Sequence, residues 1–169
     1  MKLATGIAAL TLAVASSYSA QSIAAVELKA TGANPTARCQ GALPVFETAI
    51  RKRPLAVENE GTSATFVTCS FETQTYDAEA GVVLLDTYFS NKGTAAASVT
   101  CTAVSGYNGG TNEYVAQTFS VPANGEYNAF WIAEDFTGEL AAGLISINCQ
   151  LPPSVGVNDT YVFWEEDDA

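Results

Sequence analysis

Along most of the chain, short runs in which apolar and polar residues alternate singly are separated by clusters of Gly, Asn, Pro and Thr. That two-residue period is the mark of a strand with one face in a core and the other in water. It predicts strands over Leu55–Asn59, Thr65–Phe71, Val82–Ser90, Ser98–Val104, Tyr114–Val121, Tyr127–Ile132, Leu144–Leu151 and Thr160–Trp164. Val67, Cys69 and Phe71 share one side, as do Val99, Cys101 and Ala103, and Ile145, Ile147, Cys149 and Leu151; these sides are expected to face the core. Phe66 breaks the pattern, as an exposed aromatic or as a sign that its strand is covered on both faces. Ala42 to Arg53 fits one helical turn as well as an irregular strand, and Val26 to Arg38 reads as a polar lead-in. The fold expected is an all-β, antiparallel, disulfide-bonded β-sandwich over residues 39–164, immunoglobulin-like or jelly-roll-like.

A repeat sharpens this picture. Asn59-Glu60-Gly61-Thr62 leads through Val67-Thr68 to Cys69, and Asn91-Lys92-Gly93-Thr94 leads through Val99-Thr100 to Cys101 at identical spacing. Asn-x-Gly supplies residues suited to a tight turn, so each copy reads as a β-hairpin unit. Four cysteines allow three pairings. The equivalence of Cys69 and Cys101 favours tying each to a flanking segment, which gives Cys39–Cys69 and Cys101–Cys149.

Cysteines used in this way need an oxidising compartment, and the chain's start agrees. Lys2 precedes an uncharged, largely apolar run from Leu3 to Ala15, so residues 1 to about 25 fit a secretory signal peptide with a cut within 19–25. No later segment has the roughly 20 consecutive apolar residues of a membrane helix. A secreted or periplasmic protein without a transmembrane segment is expected.

Charge and composition remove several functions. Eighteen acidic residues face seven basic ones, a net charge of −11, and without Lys2 six basic residues remain. Nucleic acid is not an expected partner, because phosphate neutralisation needs Lys and Arg in numbers this chain lacks. Arg51-Lys52-Arg53 reads as a solvated edge guarding its strand. The absence of histidine removes the usual general base, the His-dependent nucleophile systems and most zinc and copper sites. No cofactor and no metal is expected. Asp77–Gly81 and Asn108–Glu113 offer oxygen ligands near glycine without the spacing of a calcium loop, so they read as turns. Glu134, Asp135, Glu139 and Asp86 are the carboxylates that a glycoside hydrolase would have to pair, and nothing in the sequence marks two of them as neighbours. Glu165 to Asp168 reads as an acidic tail, residues 165–169. Asn158-Asp159-Thr160 is a formal glycosylation sequon whose expected work is to turn the chain into its last strand.

Aromatics concentrate in the second half, and most are expected in the core. Tyr107 in the Gly106–Asn112 loop, with Tyr114 and Trp131 nearby, is the candidate ligand contact.

The order of Asn59-x-Gly61 running to Cys69, a strand ending in Cys101, Cys149-Gln150-Leu151-Pro152-Pro153, and a last strand after Asn158 resembles a group of small secreted four-cysteine proteins of Gram-negative bacteria. The resemblance covers about residues 39–164, implies a disulfide-bonded sandwich in the envelope or outside the cell, and carries over no catalytic residue. A weaker resemblance to fimbrial subunits fails at Glu165 to Ala169, which lack the near-terminal Gly and penultimate Tyr of donor-strand pilins. The expected function is non-catalytic binding of a protein or glycan partner, or a structural role. The alternatives are a fimbria-like or matrix assembly subunit, and a secreted hydrolase that works through carboxylates.

Overall fold

The computed structural model describes residues 26–71, 81–106, 110, 112–136 and 144–167. The expected signal peptide, Asp77 to Ala80, Tyr107 to Gly109, Glu139, Asp168 and Ala169 lie outside these residues. In chain order the elements are β1 (Val26–Ala33), α1 (Pro35–Arg38), β2 (Cys39–Gly41), α2 (Pro44–Glu47), β3 (Ile50–Arg53), β4 (Ala56–Asn59), β5 (Thr65–Phe71), β6 (Val82–Asn91), β7 (Ala97–Gly106), β8 (Asn112–Val121), β9 (Gly125–Ile132), β10 (Leu144–Leu151) and β11 (Val155–Asp167). The first sheet runs β3-β4-β11-β6-β9, with β1 beside the second half of β11, and the second runs β2-β5-β10-β7-β8. Every pairing is antiparallel. From β4 to β11 the chain changes sheet at every connection except β7 to β8, and the resulting order is that of a jelly roll, not an immunoglobulin fold.

The core lies between the sheets. Val67, Cys69, Phe71, Val99, Cys101, Ala103, Ile145, Ile147, Cys149 and Leu151 are all buried, on the sides that alternation assigns to them. Val57, Leu85, Phe89, Trp131, Val157 and Val162 meet them from the first sheet, each worth roughly 1.5–3 kcal/mol of transfer free energy when fully buried. Both expected disulfides form, Cys39–Cys69 and Cys101–Cys149. Each joins residues directly opposite on neighbouring strands of the second sheet, so neither ties one sheet to the other. Such bonds fit an oxidising compartment.

The Asn-x-Gly turns are not hairpins. Each is an arch from the first sheet to the second, from β4 to β5 and from β6 to β7. Asn59 Oδ1 accepts from Gly61 N at 2.9 Å, while its Nδ2 donates to Ser63 O at 2.9 Å and to Leu151 O at 2.8 Å. Asn91 repeats the arrangement, accepting from Gly93 N at 2.8 Å and donating to Ala95 O at 2.8 Å and Val121 O at 3.2 Å. Each amide thus closes its own turn and reaches the strand end that enters a neighbouring arch, β10–β11 or β8–β9. Those two arches are also alike: Val155 N bonds to Pro152 O and Gly125 N to Pro122 O, both at 3.2 Å, with Ser154 and Asn124 at positive φ.

Several expectations change. The polar lead-in is in part strand β1, which pairs in register with β11 over eight residues. The acidic stretch Glu165 to Asp167 belongs to that ladder and is not a free tail. The polar residues of β1 are tolerated because β1 lies at the edge of the sheet and main-chain bonds hold it to β11. Asn158-Asp159-Thr160 starts no strand; it lies within β11 at a bulge that follows Val157, opposite Tyr88. Ala42 to Arg53 holds both a helical turn and an edge strand, and α2 covers Phe66 through Phe46, with ring centroids 5.4 Å apart. Arg51-Lys52-Arg53 forms the exposed edge strand β3, as expected.

Candidate functional site

Strand pairing lays the outer face of the first sheet out as a grid of four rows. Glu58, Gly156, Ser90 and Glu126 form the first, followed by Asp159, Tyr88 and Asn128. Gly32, Tyr161, Asp86 and Phe130 form the third, and Ala30, Phe163, Leu84 and Ile132 the fourth. Successive rows are two residues apart along β1, β6 and β9, roughly 7 Å, while the bulge in β11 makes the step from Gly156 to Asp159 three residues. An outer sheet face is ordinarily polar, yet the last two rows are mostly aromatic and aliphatic. Phe130 is 53% exposed and Tyr161 36%. Tyr88 meets Tyr161 edge to face, with centroids 6.2 Å apart.

Asp86 stands inside this apolar platform. Burial raises its carboxyl above the usual carboxylate range, against bonds from Asn128 and the Thr87 backbone that favour the charged form. One of its oxygens is buried with no hydrogen-bond partner. Such a group costs stability unless something else satisfies it, which makes the position a candidate site.

Gly32 holds the edge of the platform open. A Cβ there would lie 2.5 Å from Cε1 of Tyr161, so the ring rests where a side chain would otherwise stand. Gly32→Ala is therefore expected to displace the ring and weaken any ligand that uses it. The loss of stability should stay near 1 kcal/mol or less, because β1 adds no residue to the core. Crystallography of the variant and a binding titration check this.

Beside the platform, a groove of about 570 Å³ runs along the first row, lined among others by Arg53, Leu55, Glu58, Ser90, Asn158 and Asp159. Its cations are already committed. Arg53 Nε bonds to Glu58 Oε2 at 2.5 Å, Lys92 binds the other oxygen of Glu58, and Arg53 also binds Glu60. Burial would raise the Glu58 carboxyl, but the bonds from Lys92 and Arg53 outweigh it and hold it below the usual range. Ser90 Oγ donates to Asn158 Oδ1 at 2.8 Å.

The structure does not bring the predicted contacts Tyr114 and Trp131 together. Trp131 is 1% exposed and gives its Nε1–H to Val115 O at 3.2 Å. It is a core residue: on β9 it shares the inner side with Ala129, which turns its neighbour Phe130 outward. Tyr114 is 67% exposed, but it stands on the outer face of the second sheet. Tyr107 lies outside the described residues. Of the described carboxylates considered for hydrolysis, Asp86, Glu134 and Asp135, only Asp86 stands on the platform, and Glu139 lies outside the described residues. Glu134 and Asp135 follow the end of β9, where Asp135 caps a 3-10 turn by accepting from Ile132 N at 2.9 Å. Among the described residues no cluster of three or more acidic, His or Cys side chains is disposed to hold a metal, and no helix is long and apolar enough to cross a membrane.

No family model matches the sequence, and no curated protein does. Among solved structures, the chain is similar to a family 11 carbohydrate-binding module from Clostridium thermocellum in complex with a β-1,3-1,4-mixed-linked tetrasaccharide, at 11% identity over 82% of this chain and 86% of that one, TM-score 0.44. An exo-β-1,3-galactanase from Phanerochaete chrysosporium with galactose gives 19% identity over 79% of this chain, TM-score 0.41. The chain spans 29% of that enzyme's length. TmCBM61 in complex with β-1,4-galactotriose gives 10% identity over 83% of this chain and 88% of that one, TM-score 0.34.

Proposed function

We propose that this is an exported, non-catalytic glycan-binding protein whose ligand lies across the outer face of the first sheet. The row Tyr161–Asp86–Phe130 carries the reading: a carboxylate oxygen without a partner, set between exposed rings. A sugar ring has an apolar C–H face and an edge of hydroxyl donors. The rings of Tyr161 and Phe130 suit the first, and Asp86 with the Asn128 amide suits the second. The adjoining groove gives a polymer room to continue past one residue. Export is supported by the leader-like start of the sequence and by the two disulfides.

Affinity electrophoresis against a panel of soluble polysaccharides, followed by calorimetry on those that retard the protein, tests the reading. Phe130→Ala and Tyr161→Ala are each expected to weaken binding about tenfold or more, with little change in melting because neither ring belongs to the core. Tyr114→Ala, on the opposite sheet, should leave affinity unchanged. Absence of retardation by every polysaccharide, or equal binding by Phe130→Ala, would sink the proposal.

A further inference from the structure

We propose that the platform selects an amino sugar, the ligand's ammonium group resting on Asp86 between the rings of Tyr88, Tyr161 and Phe130. This rests on the glycan-binding reading and narrows its ligand to a cationic hexosamine polymer.

Three observations converge on a positive charge. The unpartnered oxygen of Asp86 would be satisfied by a hydroxyl donor, but an ammonium adds to the hydrogen bond the attraction of opposite charges, which is stronger in a partly buried site than in water. It also brings three donors, so that one can meet the carboxylate while another reaches a tyrosine hydroxyl. Aromatic side chains flank the carboxylate, opposite it on both neighbouring strands, and a cation held against aromatic faces gains further attraction, more so where water is partly excluded.

The charges around the platform point the same way. Lys92 and Arg53 are held by Glu58 and Glu60, while no ion pair engages Asp86, Asp159 or Glu126 among the described residues. Asp159 stands in the row beside that of Asp86 and Glu126 in the row beyond it, so an anionic sugar would meet these carboxylates, while the two cations lining the adjoining groove are already paired. The net charge of −11 draws cations toward the whole molecule. Burial of Asp86 in the free protein fits as well, since a bound cation offsets the cost of keeping that carboxylate charged.

Calorimetry with three soluble tetramers decides the matter: glucosamine, N-acetylglucosamine and glucose, at a pH where the amine is protonated. The native protein is expected to bind the glucosamine tetramer at least tenfold more tightly than the acetylated one. Asp86→Asn should abolish that preference, while Glu134→Gln, which removes the same charge away from the platform, should keep it. Thermal melting guards against misfolding. The raised carboxyl of Asp86 costs stability at pH above its folded value, a cost that fades as pH falls through that value, so Asp86→Asn should melt no lower than the native protein near neutrality. Equal affinity for glucosamine and N-acetylglucosamine overturns the inference and leaves the glycan reading standing. So does a preference that survives Asp86→Asn, or one lost equally in Glu134→Gln. Failure of all three tetramers, and of every polysaccharide in the panel, removes both.

Discussion

Replacing Cys101 and Cys149 together with alanine should lower the free energy of unfolding by about 4 kcal/mol, a large share of the 5–15 kcal/mol typical of a domain. The bridge closes a span of 48 residues, and the cost of leaving such a loop open in the unfolded chain sets that magnitude. Both residues are fully buried on the inner face of the second sheet, so lost packing adds to the effect. Cys39–Cys69 closes 30 residues and on the same arithmetic is worth about 3.6 kcal/mol. Its removal should act differently. β2 has three residues and pairs only with β5, so without the bridge it is expected to fray together with α1 and α2 while the jelly roll persists. Guanidinium melts measure the first effect, and hydrogen exchange separates the second. An unchanged midpoint in the Cys101/Cys149 variant would contradict a structural role for that bond.

How much of this was legible in the residues depends on the range over which each feature is decided. Alternation is local, and it located the buried sides of β5, β7 and β10 correctly because the opposite faces are mostly Thr, Ser, Asn and Gln, with Phe66 the exception on β5. β6 carries apolar residues on both sides, with Leu85 and Phe89 inward and Leu84 and Tyr88 outward, so its pattern could not say which face was core. For the same reason Trp131 and Phe130, adjacent on β9, were indistinguishable until β9 was placed beside β6 and β8. β1 and the end of β11 were missed because each is polar by itself; their pairing joins segments more than 120 residues apart. The Asn-x-Gly turns were recognised as turns, but a hairpin and an arch share the same local residues. Whether the two strands pair or face each other across a core is a tertiary outcome. Asp86 was considered as half of a catalytic pair, whereas its surroundings come from β9 and β11.

Asn59 and Asn91 are the residues on which the arches depend, and Asn91→Ala is expected to cost about 3 kcal/mol. Asn91 is 2% exposed and Asn59 1%, so alanine leaves the carbonyls of Ala95 and Val121, or of Ser63 and Leu151, without these donors. Each unsatisfied buried group costs roughly 1–3 kcal/mol. Asn→Asp should be worse at neutral pH, because a carboxylate has no donor to offer and would place a charge against two carbonyl oxygens. The two sites also share a neighbour: Ser154 N donates to Asn59 O, and Lys92 N donates to Ser154 O, each at 2.9 Å. Loosening one arch therefore releases part of what holds the other, and the double alanine variant should lose about 0.5–1 kcal/mol less than the sum of the single losses. Chemical denaturation of the two single variants and the double closes that cycle. Strict additivity would mean that the four arches are independent turns. A shortfall would mean that the repeated Asn-x-Gly element and the two proline turns form one continuous brace at the end of the sandwich.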